Sequence, residues 1–261
     1  MIHGLAGPGR ALVTGASSGI GLAVTMQLLA DVACVEQVVA VSRHAEQNDA
    51  LEELAQIHGD RLLRISLDLT DQFALAALPA RLVSDVQSPG TATLHLIFNA
   101  AGMLHGPGLA PEKALASVRA ETLASVFALN TFAPILLIQA LAPLLPRDKP
   151  LVFASLSARV GSIGDNQRGG WYAYRASKAA QNQLLRTLAV EWRRTHPQAT
   201  CVLLHPGTVD TPLSQPFQAH VPAEKLFTPE RAARQLLDIV RSITPEQSGR
   251  FLAWDGSEVP W

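Results

Sequence analysis

The chain has 261 residues, 48% of them hydrophobic and 16% charged, which is enough to bury a sizeable core and excludes wholesale disorder. Its 21 Lys and Arg residues are balanced by 22 Asp and Glu residues, and a net charge of −1 argues against nucleic-acid binding. A single domain over residues 1–261 is the starting expectation for this length.

The chain shows no feature of a secreted or membrane-spanning protein. Residues 1–9 lack the basic start and the uninterrupted apolar run of a secretory signal. The most apolar region, 126–145, contains Asn130 and two prolines, which suits a buried or oligomer-facing helix better than a bilayer span. Cys34 and Cys201 are far apart and form neither a disulfide framework nor a metal-ligand pair. We therefore expect a cytoplasmic protein with reduced thiols and no membrane partner.

Short apolar runs alternate with longer segments of helical spacing. The predicted strands are 11–14, 37–42, 62–67, 93–98, 151–154, 200–204 and 251–254. The predicted helices are about 19–30, 47–58, 71–86, 111–145 in two pieces, 172–194 and 229–243. This order predicts an α/β, doubly wound (Rossmann-type), mostly parallel sheet with helices on both faces, which binds ligands at the carboxyl ends of its strands. The irregular stretch at about 212–228 is predicted to be a substrate loop.

A glycine-rich turn, 14–21, lies between the first predicted strand and the first predicted helix. Its glycines leave out the side chain where the chain turns, where a pyrophosphate would approach the backbone, and where the helix packs on the strand. The helix N-terminus offers free N–H groups to phosphates. A purely structural turn is the alternative. The predicted cofactor contacts here are Gly15, Ser17, Ser18, Gly19, Ile20 and Gly21.

The ends of three further strands complete the predicted cofactor site. Arg43 follows the second strand, where an NAD site would carry a carboxylate, and an arginine can pair with a 2′-phosphate, so NADP(H) is favoured over NAD(H). A solvated surface arginine is the alternative. Asp68 and Leu69 close the third strand and could meet the adenine, although a turn or N-cap role for Asp68 stays open. The small residues that follow the fourth strand would let the cofactor lie against the backbone: Asn99, Ala100, Ala101 and Gly102.

Tyr174 and Lys178 stand at the start of a long predicted helix, at a spacing that puts both on one face about one turn apart. A nearby ammonium favours phenolate over phenol, so we expect a lowered tyrosine pKa suited to general acid/base work. The other tyrosine, Tyr172, has an alanine at the matching position. The pair therefore selects Tyr174 as the candidate catalytic residue. The spacing alone is that of an ordinary helix pair, and only the preceding glycine-rich turn makes catalysis the favoured interpretation.

Together with the segment 205–211, these motifs resemble the signature set of the classical short-chain dehydrogenases/reductases, in order and over nearly the whole chain. Finer features at 161–166, 174–178 and 254–261 resemble the C-factor and sniffer-like carbonyl reductase branch. The resemblance implies an NADP(H)-dependent oxidoreductase that interconverts a carbonyl and an alcohol by hydride transfer. In it, Tyr174 would be the general acid/base, and Lys178 would hold the ribose hydroxyls and lower the tyrosine pKa. The resemblance thus makes both Tyr174 and Lys178 cofactor contacts as well.

The resemblance also assigns further site residues. The family's helix asparagine matches Asn130, where it would anchor a water of the proton relay; a satisfied polar group at a kink made with Pro134 is the alternative. The nicotinamide end would be contacted by Pro206, Gly207, Val209 and Thr211.

The catalytic serine departs from the family pattern, which has two adjacent serines, the second one active, and a glycine three residues later. Here the glycine is Gly161, so the matching position is Ala158. The segment up to Tyr174 is longer than usual, and a shifted register would let Ser157 serve. Ser157 is the predicted catalytic serine, with Ser155 and Ser162 behind it.

The leading hypothesis is an enzyme acting on a small carbonyl or alcohol. A dinucleotide-binding sensor or signalling protein with little turnover is the alternative, which Ala158 keeps open and Tyr174, Lys178 and Asn130 oppose. No His-x-x-x-His or clustered carboxylate pattern supports a metal site. Family members assemble through long helices, here 111–145 and 172–194, so the resemblance implies a homodimer or homotetramer.

Overall fold

A computed structural model describes residues 2–84 and 92–261. The strands are β1 (Gly9–Thr14), β2 (Val35–Ser42), β3 (Leu62–Ser66), β4 (Leu94–Asn99), β5 (Leu151–Leu156), β6 (Ala199–His205), β7 (Thr208–Val209), β8 (Leu226–Phe227) and β9 (Phe251–Ala253). The helices are α1 (Gly19–Ala30), α2 (Asp49–His58), α3 (Gln72–Ser84), α4 (Ala120–Phe127), α5 (Ala133–Leu141), α6 (Tyr172–Thr195) and α7 (Pro229–Ser242). The predicted end of the third helix, at 86, lies outside the described residues.

Seven of the strands form one sheet in the order β3-β2-β1-β4-β5-β6-β9, and each neighbouring pair is parallel. The chain moves outward from β1 to β3, then returns to the other side of β1 with β4. Connections therefore leave β1 and β4 in opposite directions, and this opens a crevice above their carboxyl ends. The predicted doubly wound fold is confirmed, and the crevice lies where the glycine-rich turn begins.

The sheet is covered on both faces because successive residues of each strand point to opposite sides. From β1, Leu12 packs in a cluster with Leu137 of α5 and Leu185 of α6. Its neighbour Val13 packs in a second cluster with Val24 of α1 and Leu236 of α7. Two helical layers therefore fix the ends of the strands, and with them the crevice.

The helix predicted over 111–145 begins at Ala120 instead, which is a correction to the sequence analysis. Residues 111–119 are irregular apart from a short turn at Leu115–Ser117, where the Ser117 hydroxyl donates to the Ala114 carbonyl at 2.7 Å. The Glu112 carbonyl and carboxylate bind the start of α6, which holds this segment out of a helix. The predicted division into two pieces is a π-helical segment, Ala128–Phe132, between α4 and α5.

The apolar helix that runs from Ala120 to Leu144 is long and apolar enough to cross a membrane by length and composition alone. In this fold it lies on the sheet, with Val126, Leu137 and Leu141 buried. Its polar residue Asn130 is also buried and hydrogen-bonded within the protein. Packing on the sheet therefore accounts for part of the apolar character of this helix, of which 39% is buried.

A small second sheet, β7 with β8, was not predicted. Thr208 pairs with Leu226 and Val209 with Phe227, both in parallel register. The two strands are too short to show a period of their own. The irregular segment runs from β7 to β8, and the pairing of these two strands holds its ends together. The predicted substrate loop therefore begins and ends beside β6.

Candidate active site

The glycine-rich turn lies against the end of β4. Gly15 has φ +66°, and a Cβ atom added to it would lie 2.9 Å from the Ala101 nitrogen. The Ala100 N–H donates to the Thr14 carbonyl at 3.2 Å. Only a residue without a side chain permits this approach and this backbone conformation. The structure thus brings together the turn and the segment that begins at Asn99.

The start of α1 is equally crowded. A Cβ atom on Gly21 would lie 2.2 Å from the Gly15 carbonyl oxygen. Gly19 has φ +51°, and its Cβ atom would lie 2.9 Å from Thr211 Cγ2. Ser18 is the N-cap of α1, but its side chain makes no capping hydrogen bond. The helix N-terminus thus keeps N–H groups for an anion, and the glycines form a cradle that side chains would fill.

The other residues of the turn have ordinary surroundings. The Ser17 carbonyl accepts a hydrogen bond from Asn48 Nδ2 at 3.4 Å. Ile20 is partly buried against the core, beside Val209. Any contact of Ser17 or Ile20 with a cofactor would therefore be made by backbone groups or by the exposed part of the side chain.

The adenosine end is open to solvent. Arg43 follows β2 and is exposed, and its charge contributes to lowering the pKa of Asp68, which the hydrogen bonds from Thr70 lower most. Asp68 Oδ1 accepts from the Thr70 N–H at 2.9 Å and from the Thr70 hydroxyl at 2.7 Å, which is the turn role left open for it. Leu69 is buried in the core. Arg43 is therefore an exposed charged group at this end of the crevice, and the adenine contacts of Asp68 and Leu69 stay predictions.

A chain of buried side chains crosses the sheet beneath the crevice. The Thr14 hydroxyl donates to Asn99 Oδ1 at 2.6 Å, and Asn99 Nδ2 donates to Ser155 Oγ at 2.8 Å. Gln181 Nε2 also donates to Ser155 Oγ, at 2.7 Å, and Lys178 Nζ donates to Gln181 Oε1 at 3.0 Å. Asn99 and Ser155 therefore hold β1, β4 and β5 together and connect them to the lysine of α6.

Tyr174 and Lys178 lie on one face of α6, as predicted. Lys178 Nζ is 5.9 Å from the centre of the Tyr174 ring and donates to the Leu156 carbonyl at 2.8 Å. The Tyr174 hydroxyl has no hydrogen-bond partner among residues 2–84 and 92–261. Burial raises the pKa of Tyr174 to about 12 and lowers the pKa of Lys178 to about 7. This is opposite to the expected lowered tyrosine pKa, because loss of solvent outweighs the lysine charge in the protein alone.

Asn130 lies opposite the lysine. Its Oδ1 accepts from the Met103 N–H at 2.8 Å, and its Nδ2 donates to the Met103 carbonyl at 2.8 Å and to Ser177 Oγ at 3.1 Å. A Cβ atom on Gly102 would lie 3.5 Å from Asn130 Oδ1 and 3.7 Å from Lys178 Nζ. The side chain is thus a satisfied polar group at the π-helical segment, the alternative given above. Pro134, four residues after Asn130, has no N–H to donate to the Asn130 carbonyl, and the predicted water at Asn130 stays a prediction.

The structure gives Ser157 a structural partner. Ser157 is buried, and its hydroxyl donates to Asn182 Oδ1 at 2.6 Å. Ser155 belongs to the buried chain described above, and Ser162 Oγ accepts from the Asp165 N–H at 3.1 Å. Ala158 is half-buried and has no polar side-chain atom. A role for Ser157 toward the carbonyl stays a prediction, and its proton already has an acceptor.

The turn after β6 is packed under the substrate loop. Gly207 has φ +80°, and a Cβ atom on it would lie 2.7 Å from Phe227 Cε2. Val209 is buried with Phe227. With Thr211 against the glycine cradle, the segment 206–211 borders the cofactor crevice, as the resemblance implied.

Three rings, those of Trp171, Phe217 and His105, form an aromatic wall next to Tyr174. The Trp171 ring lies 6.2 Å from the Tyr174 ring and 5.0 Å from the Phe217 ring, and Phe217 lies 5.8 Å from His105. His105 Nε2 lies 3.1 Å from the Pro212 carbonyl oxygen. All three wall residues are half-buried, so this wall is partly open to a ligand.

Two residues that shape the site, Glu112 and Gln181, were not predicted from the sequence. Trp171 has φ +53°, its N–H donates to the Glu112 carbonyl at 2.5 Å, and the Ala173 N–H donates to Glu112 Oε2 at 3.2 Å. Gln181 follows Lys178 by three positions, a helical spacing that could have been noticed. The role of Glu112 depends on a contact across 61 positions, which no local pattern reveals.

The residues described by the structure include no group of three or more His, Cys, Asp or Glu side chains that could hold a metal ion. The phenol of Tyr174 and the ammonium of Lys178 are the two titratable groups that α6 brings to the crevice. The site can therefore move a proton at a neutral phenol, next to a cradle for a dinucleotide.

Comparisons with known proteins agree with this geometry. The family model described as short chain dehydrogenase matches residues 10–222. C-signal from Myxococcus xanthus is 37% identical over 149 residues, which is 57% of this chain and 84% of that protein. The carbonyl reductase Sniffer of D. melanogaster superimposes with a TM-score of 0.84 at 27% identity, covering 97% of this chain and 100% of that one. The NADPH-bound carbonyl reductase from chicken fatty liver has a TM-score of 0.82 at 28% identity, covering 97% and 99%.

The matched span runs from β1 into the substrate loop, so it includes the glycine cradle, Asn130, Tyr174 and Lys178. The structural matches cover almost the whole chain, and the predicted likeness to sniffer-like carbonyl reductases is confirmed. The chain therefore belongs to the short-chain dehydrogenase/reductase family of NAD(P)-dependent oxidoreductases.

Proposed function

We propose that the protein is an NADP(H)-dependent reductase of a small-molecule aldehyde or ketone, with the reverse oxidation of an alcohol as the same chemistry. The observation that carries this proposal is the Tyr174 hydroxyl, which has no partner among the described residues and lies on the same helical face as Lys178. The side chains of Asn130 and Lys178 both lie close to Gly102, at the edge of the cofactor crevice. A protein that only binds a dinucleotide has no need for this arrangement.

The protein supplies the proton and the positioning for the reaction. A bound NADPH supplies the hydride. With a pKa of about 12, Tyr174 is a neutral phenol near pH 7 and can donate its proton to a carbonyl oxygen. Two of the three N–H donors of Lys178 have protein acceptors, Leu156 and Gln181, which leaves one for a ribose hydroxyl. The Asn130 carbonyl, which Pro134 cannot supply with an N–H, would hold the water that returns a proton to Tyr174.

The residues of the crevice fit a nicotinamide dinucleotide. The cradle at Gly15, Gly19 and Gly21 is the space that a Cβ atom would fill, and it stands at the N-terminus of α1, where a pyrophosphate is stabilised. Arg43 is exposed at the end of β2, and it would pair with the 2′-phosphate that distinguishes NADP from NAD. The neighbouring carboxylate of Asp68 is engaged with Thr70, which leaves the arginine as the ribose-side contact.

The substrate would enter beside the aromatic wall, to which the loop at about 212–228 contributes Phe217. The half-buried rings of Trp171 and Phe217 offer an apolar surface beside Tyr174, so a carbonyl compound with an apolar body fits better than a charged one. Ser157 is the side chain proposed to orient the carbonyl, because Ala158 offers no hydroxyl.

A second candidate is a dinucleotide-binding signalling protein with little turnover. Two observations favour it: the alanine at position 158 and the similarity to the protein named C-signal. For either function we propose a cytoplasmic homodimer or homotetramer, since Phe132 and Val190 on the two long helical segments are exposed apolar side chains that a partner copy would cover.

The test is titration of the protein with NADPH and NADH, followed by NADPH consumption with a panel of aldehydes and ketones. Tyr174→Phe should leave the NADPH Kd within about threefold and lower kcat/KM by about 10²- to 10⁴-fold, because it removes only the proton donor. The matched control is Tyr172→Phe, which changes the other tyrosine, an exposed one. Turnover that survives in Tyr174→Phe would overturn the acid assignment. NADPH binding without turnover by the native protein would favour the signalling protein.

A further inference from the structure

Gln181 is a fully buried polar residue one helical turn after Lys178. None of its side chain is exposed. A glutamine in such a place loses its solvent contacts, so its amide must find partners inside the protein. It finds them in three groups that all belong to the site: Lys178, Ser155 and Leu156.

The orientation of the Gln181 amide follows from its partners. Lys178 Nζ can only donate, so the atom that faces it at 3.0 Å must be the amide oxygen. The amide nitrogen then faces Ser155 Oγ at 2.7 Å and the Leu156 carbonyl oxygen at 3.3 Å. The Leu156 carbonyl also accepts from Lys178 at 2.8 Å. Lys178 and Gln181 thus donate to the same carbonyl oxygen, and the hydrogen bond between them holds both side chains in place.

The remaining surroundings of Lys178 are neutral. Gly161 packs against its Cβ, where an added Cβ atom would lie 2.7 Å away, and Gly102 and Asn130 face its ammonium from across the crevice. Tyr174 is the titratable group in contact with it, and no charged group from another described element affects its pKa, which burial alone lowers. The acceptors on Leu156 and Gln181 are therefore what stabilises the ammonium in this dry environment.

We propose that Gln181 is a positioning residue for Lys178: its amide oxygen holds the ammonium toward the cofactor crevice and favours the charged form. The anchor of the amide is Ser155, which Asn99 and Thr14 connect to the start of the glycine-rich turn. The lysine is thus tied to the same strand ends that carry the cofactor cradle. The catalytic consequence rests on the proposed function; the effect on the lysine itself does not.

The lysine can be observed without any substrate. The chain has only four lysines, Lys113, Lys149, Lys178 and Lys225. In protein labelled with [¹³C]lysine, the Cε resonance of Lys178 is assigned by its absence in Lys178→Met and titrated against pH by NMR. We expect Gln181→Leu to move the midpoint to lower pH by about one unit or more, and Gln181→Glu to move it to higher pH by a similar amount, because the first removes an acceptor and the second charges it.

The matched control is Gln183→Leu, which makes the same change on the exposed face of α6 and should leave the midpoint unchanged. Opposite shifts in the two Gln181 variants support the proposal, since a merely disturbed fold would move both in one direction. Equal shifts, or none, would overturn it. If Gln181→Leu does not fold, the shift in Gln181→Glu decides alone, with an unchanged or lower midpoint counting against the proposal.

A second readout connects the lysine to catalysis. The kcat/KM for NADPH-dependent reduction should fall with rising pH as Lys178 loses its proton. In each variant, the pH at which kcat/KM falls should therefore shift in the same direction as the NMR midpoint. At neutral pH, Gln181→Leu should raise the NADPH Kd by about tenfold. If the native protein reduces no carbonyl, the proposed function fails while the NMR titration still decides the role of Gln181.

Discussion

The two sides of the crevice are held in place by different means. On the cofactor side, which comprises the turn 14–21 and the strand end 99–102, backbone atoms lie so close together that a Cβ atom would meet them at 2.2 to 2.9 Å. On the catalytic side, which comprises the start of α6 and the residues packed on it, buried side chains make the contacts: Lys178, Gln181, Asn130 and Glu112. The first side is therefore sensitive to the volume of a residue, and the second to its hydrogen-bonding groups.

The largest effect that would test this contrast is expected for Gly21→Ala. The added Cβ atom would lie 2.2 Å from the Gly15 carbonyl oxygen, and backbone cannot rotate away as a side chain can. Alanine gains about 1 kcal/mol in helix propensity, but overpacking of this kind costs about 1–3 kcal/mol or more and displaces the cradle. We expect a net loss of unfolding free energy in urea denaturation and an NADPH Kd raised by at least about tenfold.

The control is Gly106→Ala, where an added Cβ atom has nothing within 4 Å and the backbone is not left-handed. It should leave both the unfolding free energy and the NADPH Kd near those of the native protein. Native-like NADPH binding by Gly21→Ala would mean that the turn can shift without loss, and the contrast between the two sides would not hold.

A smaller effect is expected at Arg43, the exposed residue after β2 that is proposed to pair with the 2′-phosphate. Arg43→Ala should raise the NADPH Kd by about 10- to 100-fold and leave the NADH Kd within about twofold, because only NADPH carries the 2′-phosphate. The measurement is fluorescence titration with both cofactors at two salt concentrations, with the difference shrinking at high salt. Arg194→Ala, an exposed arginine at the far end of α6, is the control. Equal losses for both cofactors would leave Arg43 as a general phosphate contact.

The same contrast explains what could be predicted from the sequence. The cofactor side was predictable because its constraint is local: the glycines at positions 15, 19 and 21 stand between a strand and a helix, and the structure places all three as expected. The doubly wound parallel sheet followed from the alternation of strands and helices, whereas β7 and β8 were not predicted because each has only two residues.

The catalytic side was predictable only in part. The spacing of Tyr174 and Lys178 placed both on one helical face, but the direction of their pKa shifts depends on burial, which a spacing does not give. Glu112 was predicted to lie in a helix. That prediction is wrong, because Glu112 contacts the start of α6, which is distant in the sequence. Gln181 acts through Ser155, on a strand 26 positions away.

The smallest effect concerns a group that the catalytic side lacks. If Ala158 occupies the place of the family's active serine, Ala158→Ser should raise kcat/KM for carbonyl reduction by about tenfold, through one added hydrogen bond to the carbonyl oxygen, with the NADPH Kd unchanged. To do this itself, the adjacent Ser157 would have to exchange its hydrogen bond to Asn182 for one to the carbonyl. Steady-state kinetics of Ala158→Ser on the substrates found in the panel measure the gain.

Ser157→Ala completes the test, because it separates a structural serine from a catalytic one. A structural serine predicts a loss of about 1 kcal/mol in unfolding free energy, from the buried bond to Asn182, and a nearly unchanged kcat/KM. A catalytic serine predicts the reverse: kcat/KM falls at least about tenfold, and Ala158→Ser brings no gain because the position is already served. In the first case the catalytic side lacks one hydroxyl, and Tyr174 would protonate a carbonyl that no serine orients.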